Sequence, residues 1–286
     1  MKLWQVKWFK LMILIVSGLL AVGITFVIIY IHQNSNFSSP TPPQNFETPL
    51  PSLQGHLPEP KALGVKTKDE TNVPILMYHH IQNISASSNI TEKNLSVSPA
   101  IFKDEIKYLS QSGYSGAVLD ELFDEYPQKR IVITFDDGYK DIIENALPVL
   151  KEYGFRGVVF VIVDNIGKSG YMNIGDLNIL INNGWEIGSH SLTHPSLKKL
   201  SEDESKKQIT ESKKILENIM QTKINYFCFP AGKYNEDTIE ILKSTGYVGA
   251  VTIEPGKENL KPNIFELKRI RIEANDTLSS FKAKLK

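Results

Sequence analysis

Arg130-Ile131-Val132-Ile133-Thr134-Phe135 is a run of apolar and β-branched residues that leads directly into Asp136-Asp137-Gly138. Its apolar character is nearly continuous rather than alternating, which suits a strand covered on both faces. Residues 139–153 then carry a helical pattern closed by Gly154 at a C-cap position, with Pro148 placed to kink it. The same strand–loop–helix unit recurs on either side. Further strands are expected at 75–79, 116–119, 158–163, 185–189, 226–229, 248–253 and 267–272. Helices are expected at 98–112, where Ser98-Pro99 supplies a cap and an N1 proline, and at 201–220, opened by the capping box Ser201-Glu202-Asp203-Glu204. Another is expected at 235–245, closed by Gly246, and Asp276 is expected to cap a last short one. This alternation predicts an α/β fold, a distorted (β/α)7-8 barrel over residues 73–286, with an open doubly wound sheet as the alternative.

Ahead of this domain the composition changes. Lys2, Lys7 and Lys10 lie in residues 1–10, read as a cytoplasmic N-terminus. Residues 11–31 hold no charge and, at about 1.5 Å per residue, span roughly 31 Å, enough for a transmembrane anchor. A cleaved signal peptide and a secreted product form the alternative, but the run is longer than such a region and Ile29-Tyr30-Ile31-His32 offers no small-x-small exit. Residues 32–72 contain seven of the fifteen prolines amid Asn, Ser, Thr and Gln, and read as a disordered extracytoplasmic linker. The expectation is a single-pass protein of the cell membrane with its folded domain outside.

Lys+Arg and Asp+Glu both total 32, so no net charge draws the chain to nucleic acid. No G-x-G-x-x-G follows the first strand and no G-x-x-x-x-G-K-[ST] occurs, which argues against a nucleotide. The single cysteine, Cys228, excludes an intramolecular disulfide and a multi-cysteine zinc site, and reads as a small buried residue.

His79, His80, His190 and His194 each lie at the end of an expected strand, as do Asp136 and Asp137. In an α/β barrel such ends line one mouth. Two imidazoles four residues apart, in His190-Ser191-Leu192-Thr193-His194, can converge on one metal ion. That pattern alone is common. With a carboxylate from another strand it leaves coordination positions open, as a catalytic metal requires. Adjacent carboxylates repel unless a cation or proton intervenes, which suggests that one aspartate ligates while its neighbour stays free to take a proton.

Thr134-Phe135-Asp136-Asp137-Gly138, followed about fifty residues later by His190-Ser191-x-x-His194, resembles the signature of the polysaccharide deacetylases, the NodB homology domain of carbohydrate esterase family 4. The resemblance covers about residues 73–273. It implies a distorted (β/α)7 barrel, with Asp136 as catalytic base and Asp137, His190 and His194 as ligands of one divalent metal ion, typically zinc, with other divalent ions accepted. The chain departs from the commonest pattern. Phe227-Cys228-Phe229-Pro230-Ala231-Gly232 stands where an Arg-Pro-Pro-Tyr-Gly type segment is usual, and no histidine follows His194. Instead Pro74-Ile75-Leu76-Met77-Tyr78-His79-His80-Ile81 looks like the permuted poly-N-acetylglucosamine deacetylase subgroup, whose acid histidine comes from the first strand. That assigns the acid to His79 and a packing or supporting role to His80. Arg269 either replaces the missing arginine or faces solvent at a strand end. A backbone N–H near Ala231 is the implied oxyanion donor, and Tyr234 is a candidate for stacking on a sugar.

The implied activity is metal-dependent removal of N-acetyl groups from N-acetylglucosamine residues of an envelope polymer, with peptidoglycan and poly-N-acetylglucosamine both open as substrate. An O-acetyl esterase and a carbohydrate-binding pseudoenzyme of the same fold are the alternatives. A non-haem iron oxygenase also uses two histidines and a carboxylate, but the second aspartate and the α/β alternation argue against it.

Overall fold

The computed structural model describes residues 72–85, 88–122, 124, 129–259 and 263–286, all within one compact unit, Gly64–Lys286. The anchor expected at 11–31 and the linker expected at 32–72, except Asn72, lie outside the described residues. Among the described residues no helix is long and apolar enough to cross a membrane. Among the described residues, Asn72–Val73 runs antiparallel to Glu258–Asn259.

Eight longer strands are described: β1 (Ile75–Tyr78), β2 (Tyr114–Ala117), β3 (Lys129–Phe135), β4 (Val158–Val161), β5 (Glu186–Ser189), β6 (Tyr226–Cys228), β7 (Gly249–Pro255) and β8 (Leu267–Arg271). Seven of them close a parallel ring in the order β1-β8-β7-β6-β5-β4-β3 and back to β1. The barrel is therefore (β/α)7. The strand expected at 116–119 is not a stave: β2 pairs with the first half of β3, up to Ala117 opposite Val132. From Thr134 onward β4 pairs with β3, while β1 runs along β3 from Val132 to Phe135.

The apolar runs of β1, β3 and β4 are buried because both faces of these staves are covered. Ile131, Ile133 and Phe135 join the outer core beneath the helices, together with Leu76, Tyr78, Val159, Val161 and Phe227. Val132 joins the second cluster with Ile75, Val158, Phe160, Cys228 and Leu267. The split follows the two-residue period of a strand. Gly188 lets the Phe160 ring fill the barrel, since a Cβ there would lie 2.4 Å from that ring.

The helices are α1 (Ile90–Leu95), α2 (Pro99–Gln111), α3 (Leu147–Glu152), α4 (Ile174–Asn182), α5 (Glu202–Met220), α6 (Glu236–Ser244) and α7 (Leu278–Lys284). The caps at Ser98 and Ser201 form as expected. Helices α1 and α4 have no counterpart among the expected elements. The pattern over 139–153 is not one kinked helix but a π-turn, Ile142–Ala146, followed by α3. Pro148 has no N–H to give and crowds the carbonyl of the preceding turn, so that turn widens. Thr277, not Asp276, caps α7; Asp276 instead accepts from the Glu273 backbone and from Ser280 Oγ, both at 2.8 Å.

Glu105 of α2 is buried against the end of β1, where Tyr78 Oη donates to its Oε2 at 2.9 Å while Oε1 has no partner. Burial pushes the Glu105 carboxyl up to about 8. Between the ordinary carboxylate value near 4.3 and about 8, the folded chain holds a proton that the unfolded chain has released. Stability therefore falls as pH rises through that window, by up to about 1.4 kcal/mol per unit. Glu105→Gln should be more stable than wild type in urea at about pH 8.5, with the advantage shrinking toward about pH 5. A difference that does not change with pH would show that Glu105 is not protonated in the fold.

Candidate metal and catalytic site

The site forms where β1, β3, β5, β6 and β8 end. Asp136 continues β3, its N–H donating to Tyr78 O at 3.0 Å, and its buried side chain follows Val132 and Thr134 inward. Asp137 then takes a left-handed backbone (φ 73), as does Gly138 (φ 78), and this turn directs the second carboxylate out of the strand's alternation. His190 follows β5, anchored by its N–H to Val161 O. The segment from His190 to His194 is a tight loop rather than a helical turn, with Ser191 (φ 67) and His194 (φ 62) left-handed. Gln208 of α5 pins it, its Oε1 accepting from Leu192 and Thr193 N–H, both at 3.1 Å. Left-handed non-glycine residues are costly and gather where a site needs them; of the five among the described residues, only Gln221 lies outside the expected motifs.

Asp137 Oδ1 lies 3.5 Å from His190 Nε2 and 3.8 Å from His194 Nε2, and ligand atoms of the three residues all fall within 4.8 Å of one another. Donors about 2.0–2.2 Å from a tetrahedral cation sit roughly 3.3–3.6 Å apart, so the spacing fits a divalent ion. His190 Nδ1 is 2.7 Å from Cys228 O. A carbonyl only accepts, so Nδ1 carries a proton and the ring is oriented with Nε2, the atom free to ligate, toward the carboxylate. Burial and the neighbouring His190 lower the His194 pKa, which keeps that imidazole free to ligate.

Asp136 is held differently. Arg269, with 0% of its side chain exposed, binds it at two points, Nη1 to Oδ1 at 2.7 Å and Nη2 to Oδ2 at 2.8 Å. Its other donors reach Thr252 O, Thr134 Oγ1 and Cys228 Sγ, at 2.8, 3.0 and 3.2 Å. The Thr252 carbonyl is available because the register of β7 slips against β8 between Val251 and Pro255. Burial works to raise the Asp136 pKa, but the guanidinium more than offsets it and holds the carboxyl well below the usual range. Arg269 thus does not face solvent.

His79 Nε2 lies 3.9 Å from Asp136 Oδ2. Burial lowers its pKa to about 4, so the imidazole is neutral at pH 7. His80 turns elsewhere, Nδ1 lying 2.5 Å from Asp141 Oδ2 and the ring stacking on Tyr139 at 3.5 Å. Ala231 adopts a left-handed backbone (φ 51) in the turn after β6. Tyr234 stacks on Phe229 at 4.1 Å and donates to Glu266 Oε1 at 2.9 Å, so it is engaged within the protein.

Two neighbours were not among the expected site residues. Cys228 Sγ lies 3.6 Å from Asp136 Oδ2 as well as against Arg269, and its thiol is raised well above its ordinary pKa by burial first. Its position in the segment lacking the usual arginine was the available signal. Burial, Asp137 and Tyr171 together raise the Tyr139 hydroxyl well above its ordinary range; that residue directly follows the Asp-Asp-Gly turn.

Fold and site together define a parallel α/β barrel that gathers a carboxylate and two imidazoles, spaced to fit a divalent cation, at one mouth. The comparisons narrow that class. A family model described as polysaccharide deacetylase matches residues 124–250. YxkH of Bacillus subtilis, placed among the polysaccharide deacetylases by its name, is 31% identical, with 84% of this chain and 89% of the relative covered. The poly-β-1,6-N-acetyl-D-glucosamine N-deacetylase of Staphylococcus aureus is 26% identical over 78% of this chain and 88% of its own length. Among solved structures, the Streptococcus pyogenes deacetylase PplD in complex with acetate matches with TM-score 0.70 and 25% identity, covering 76% of this chain and 99% of that one. The chain belongs to the polysaccharide deacetylases.

Removing the guanidinium leaves Asp136 buried without a counter-charge, a change that costs about 3–5 kcal/mol. Arg269→Met should lose about that much stability in urea at pH 7, and adding Asp136→Asn should recover a large part. Strictly additive losses in this double-mutant cycle would mean that the two groups are not coupled.

Proposed function

We propose that the chain removes N-acetyl groups from N-acetylglucosamine residues of an envelope polysaccharide, with poly-β-1,6-N-acetylglucosamine the first polymer to test. The observation that carries this reading is the separation of two consecutive carboxylates. Asp137 faces two imidazoles, while Asp136 faces Arg269 and His79. The name of the Staphylococcus aureus relatives supports the choice of polymer.

Asp137, His190 and His194 would hold a divalent cation, zinc by the chemistry of two nitrogens and one oxygen. When bound, such an ion polarises the acetyl carbonyl and acidifies the attacking water. The chain's own residues then handle the proton. Asp136, kept ionised by Arg269, takes it from water as the new C–O bond forms. One proton leaves water and one reaches the amide nitrogen as the C–N bond breaks, relayed by the His79 imidazole, which starts neutral and whose Nε2 lies 3.9 Å from Asp136 Oδ2. Acetate and a free amino sugar result. A backbone N–H of the Ala231 turn would bind the oxyanion, a role that needs no side chain. In the cell, residues 11–31 would anchor the domain outside the membrane, with 32–72 as spacer.

Asp136→Asn should abolish acetate release from N-acetylglucosamine oligomers while zinc content stays unchanged. Of the two adjacent histidines, His79→Ala should lower kcat by about a hundredfold or more, and His80→Ala should not match that loss. If His80→Ala alone loses turnover, the proton passes through the other imidazole. Chelation should abolish activity and added zinc should restore it; activity indifferent to chelators would remove the assigned role of Asp137, His190 and His194. Acetate released from O-acetylated polymers but from no amide would turn the assignment to an esterase.

A further inference from the structure

A groove of about 500 Å³ opens beside the site, between α1 and the paired rings of His80 and Tyr139. Tyr139, two residues after Asp137, bounds it, so the groove opens off the turn that carries the second carboxylate. The remaining lining includes Asn89, Ile90, Glu92 and Leu95. Ile90 is 71% exposed and offers apolar surface at the groove. Among the described residues lining the groove there is one carboxylate, Glu92, and no lysine or arginine.

Glu92 is fixed at its backbone rather than by an ion pair. Its N–H is capped by Asn89 Oδ1 at 2.9 Å and its carbonyl accepts from Ser96 Oγ at 2.7 Å. Its side chain meets only Gln82 Nε2, at 3.4 Å, among the described residues. The pairing of His80–Ile81 with Ser96–Val97 ties α1 to the strand end that carries His79, so the groove keeps its distance from the site. A volume of this order suits a small-molecule or sugar subsite. A carboxylate beside apolar surface suits a sugar ring that carries a positive charge.

The proposed reaction makes such a ring, because it turns a neutral acetamide into an amine that is an ammonium at neutral pH. Resting on that reading, we propose that the groove is a subsite for a glucosamine residue already deacetylated, its ammonium paired with Glu92 and its ring against Ile90 and Leu95. A polymer seated this way presents the sugar next to a free amine to the catalytic centre, so deacetylation proceeds in blocks.

The test compares, by calorimetry on the zinc-loaded full chain at low salt, a β-1,6-linked glucosamine tetramer with its fully N-acetylated counterpart. Wild type should bind the amine tetramer about fivefold more tightly, in keeping with a partly exposed ion pair, and salt should erode that preference. Glu92→Gln should abolish the preference and Glu92→Lys should reverse it. Equal affinities in wild type, or a preference that survives Glu92→Gln, would overturn the proposal. Acetate release from the N-acetylated tetramer is read separately: its absence alongside an intact amine preference would fell the deacetylase reading and leave the groove assignment standing.

Discussion

Arg269 carries a full charge into the interior of a seven-stranded barrel, and each nitrogen of its guanidinium has a partner. Taking both ions of such a pair out of water costs several kcal/mol each, which only near-ideal geometry offsets. The geometry here draws on four strands. β8 supplies the guanidinium and β3 leads into the carboxylate; the slipped register of β7 frees the Thr252 carbonyl, and β6 adds the Cys228 sulfur. A lysine in place of Arg269 lacks the fork to make these contacts at once. The pair therefore fixes both the protonation state of Asp136 and the mutual placement of strand ends that carry the other functional groups.

That placement resolves the difficulty of two consecutive aspartates. In a continuing strand they would point to opposite faces, one of them into the apolar layer under the helices. The left-handed turn at Asp137 and Gly138 prevents this and sends the second carboxylate toward His190 and His194. Each carboxylate then has a separate answer to its charge, a guanidinium for Asp136 and a cation-fitting pair of imidazoles for Asp137. Neither depends on the other for neutralisation, which is what the proposed division into a base and a ligand requires.

The strand at 130–135 and the other staves were legible because burial on both faces writes an apolar run into the sequence. Closure was not. Whether Tyr114–Ala117 enters the ring depends on which strand reaches each part of β3 first, and no local pattern records that. The convergence of Asp137, His190 and His194 was legible from strand ends, since a barrel collects them at one mouth. The partner of Asp136 was only half legible. Parity places residue 269 on the same face as Leu267, inward, but nothing local says that an arginine there meets a carboxylate across the barrel. Cys228 shares its parity with Tyr226 and was read as mere filling for the same reason. The state of His79 was hidden too, because a pKa depends on burial that only tertiary packing creates.

That neutral His79 changes the logic of proton transfer. An imidazolium waiting beside Asp136 would form an ion pair with it and weaken the base before any substrate arrives. With the ring neutral, the charge opposite Asp136 is the guanidinium alone, which does not give up its proton. In the proposed reaction the proton that the His79 imidazole gives to the amide nitrogen is then made good by the one that water loses to Asp136. Base and acid would thus act in sequence in that reaction, the acid becoming available only after the base has done its part.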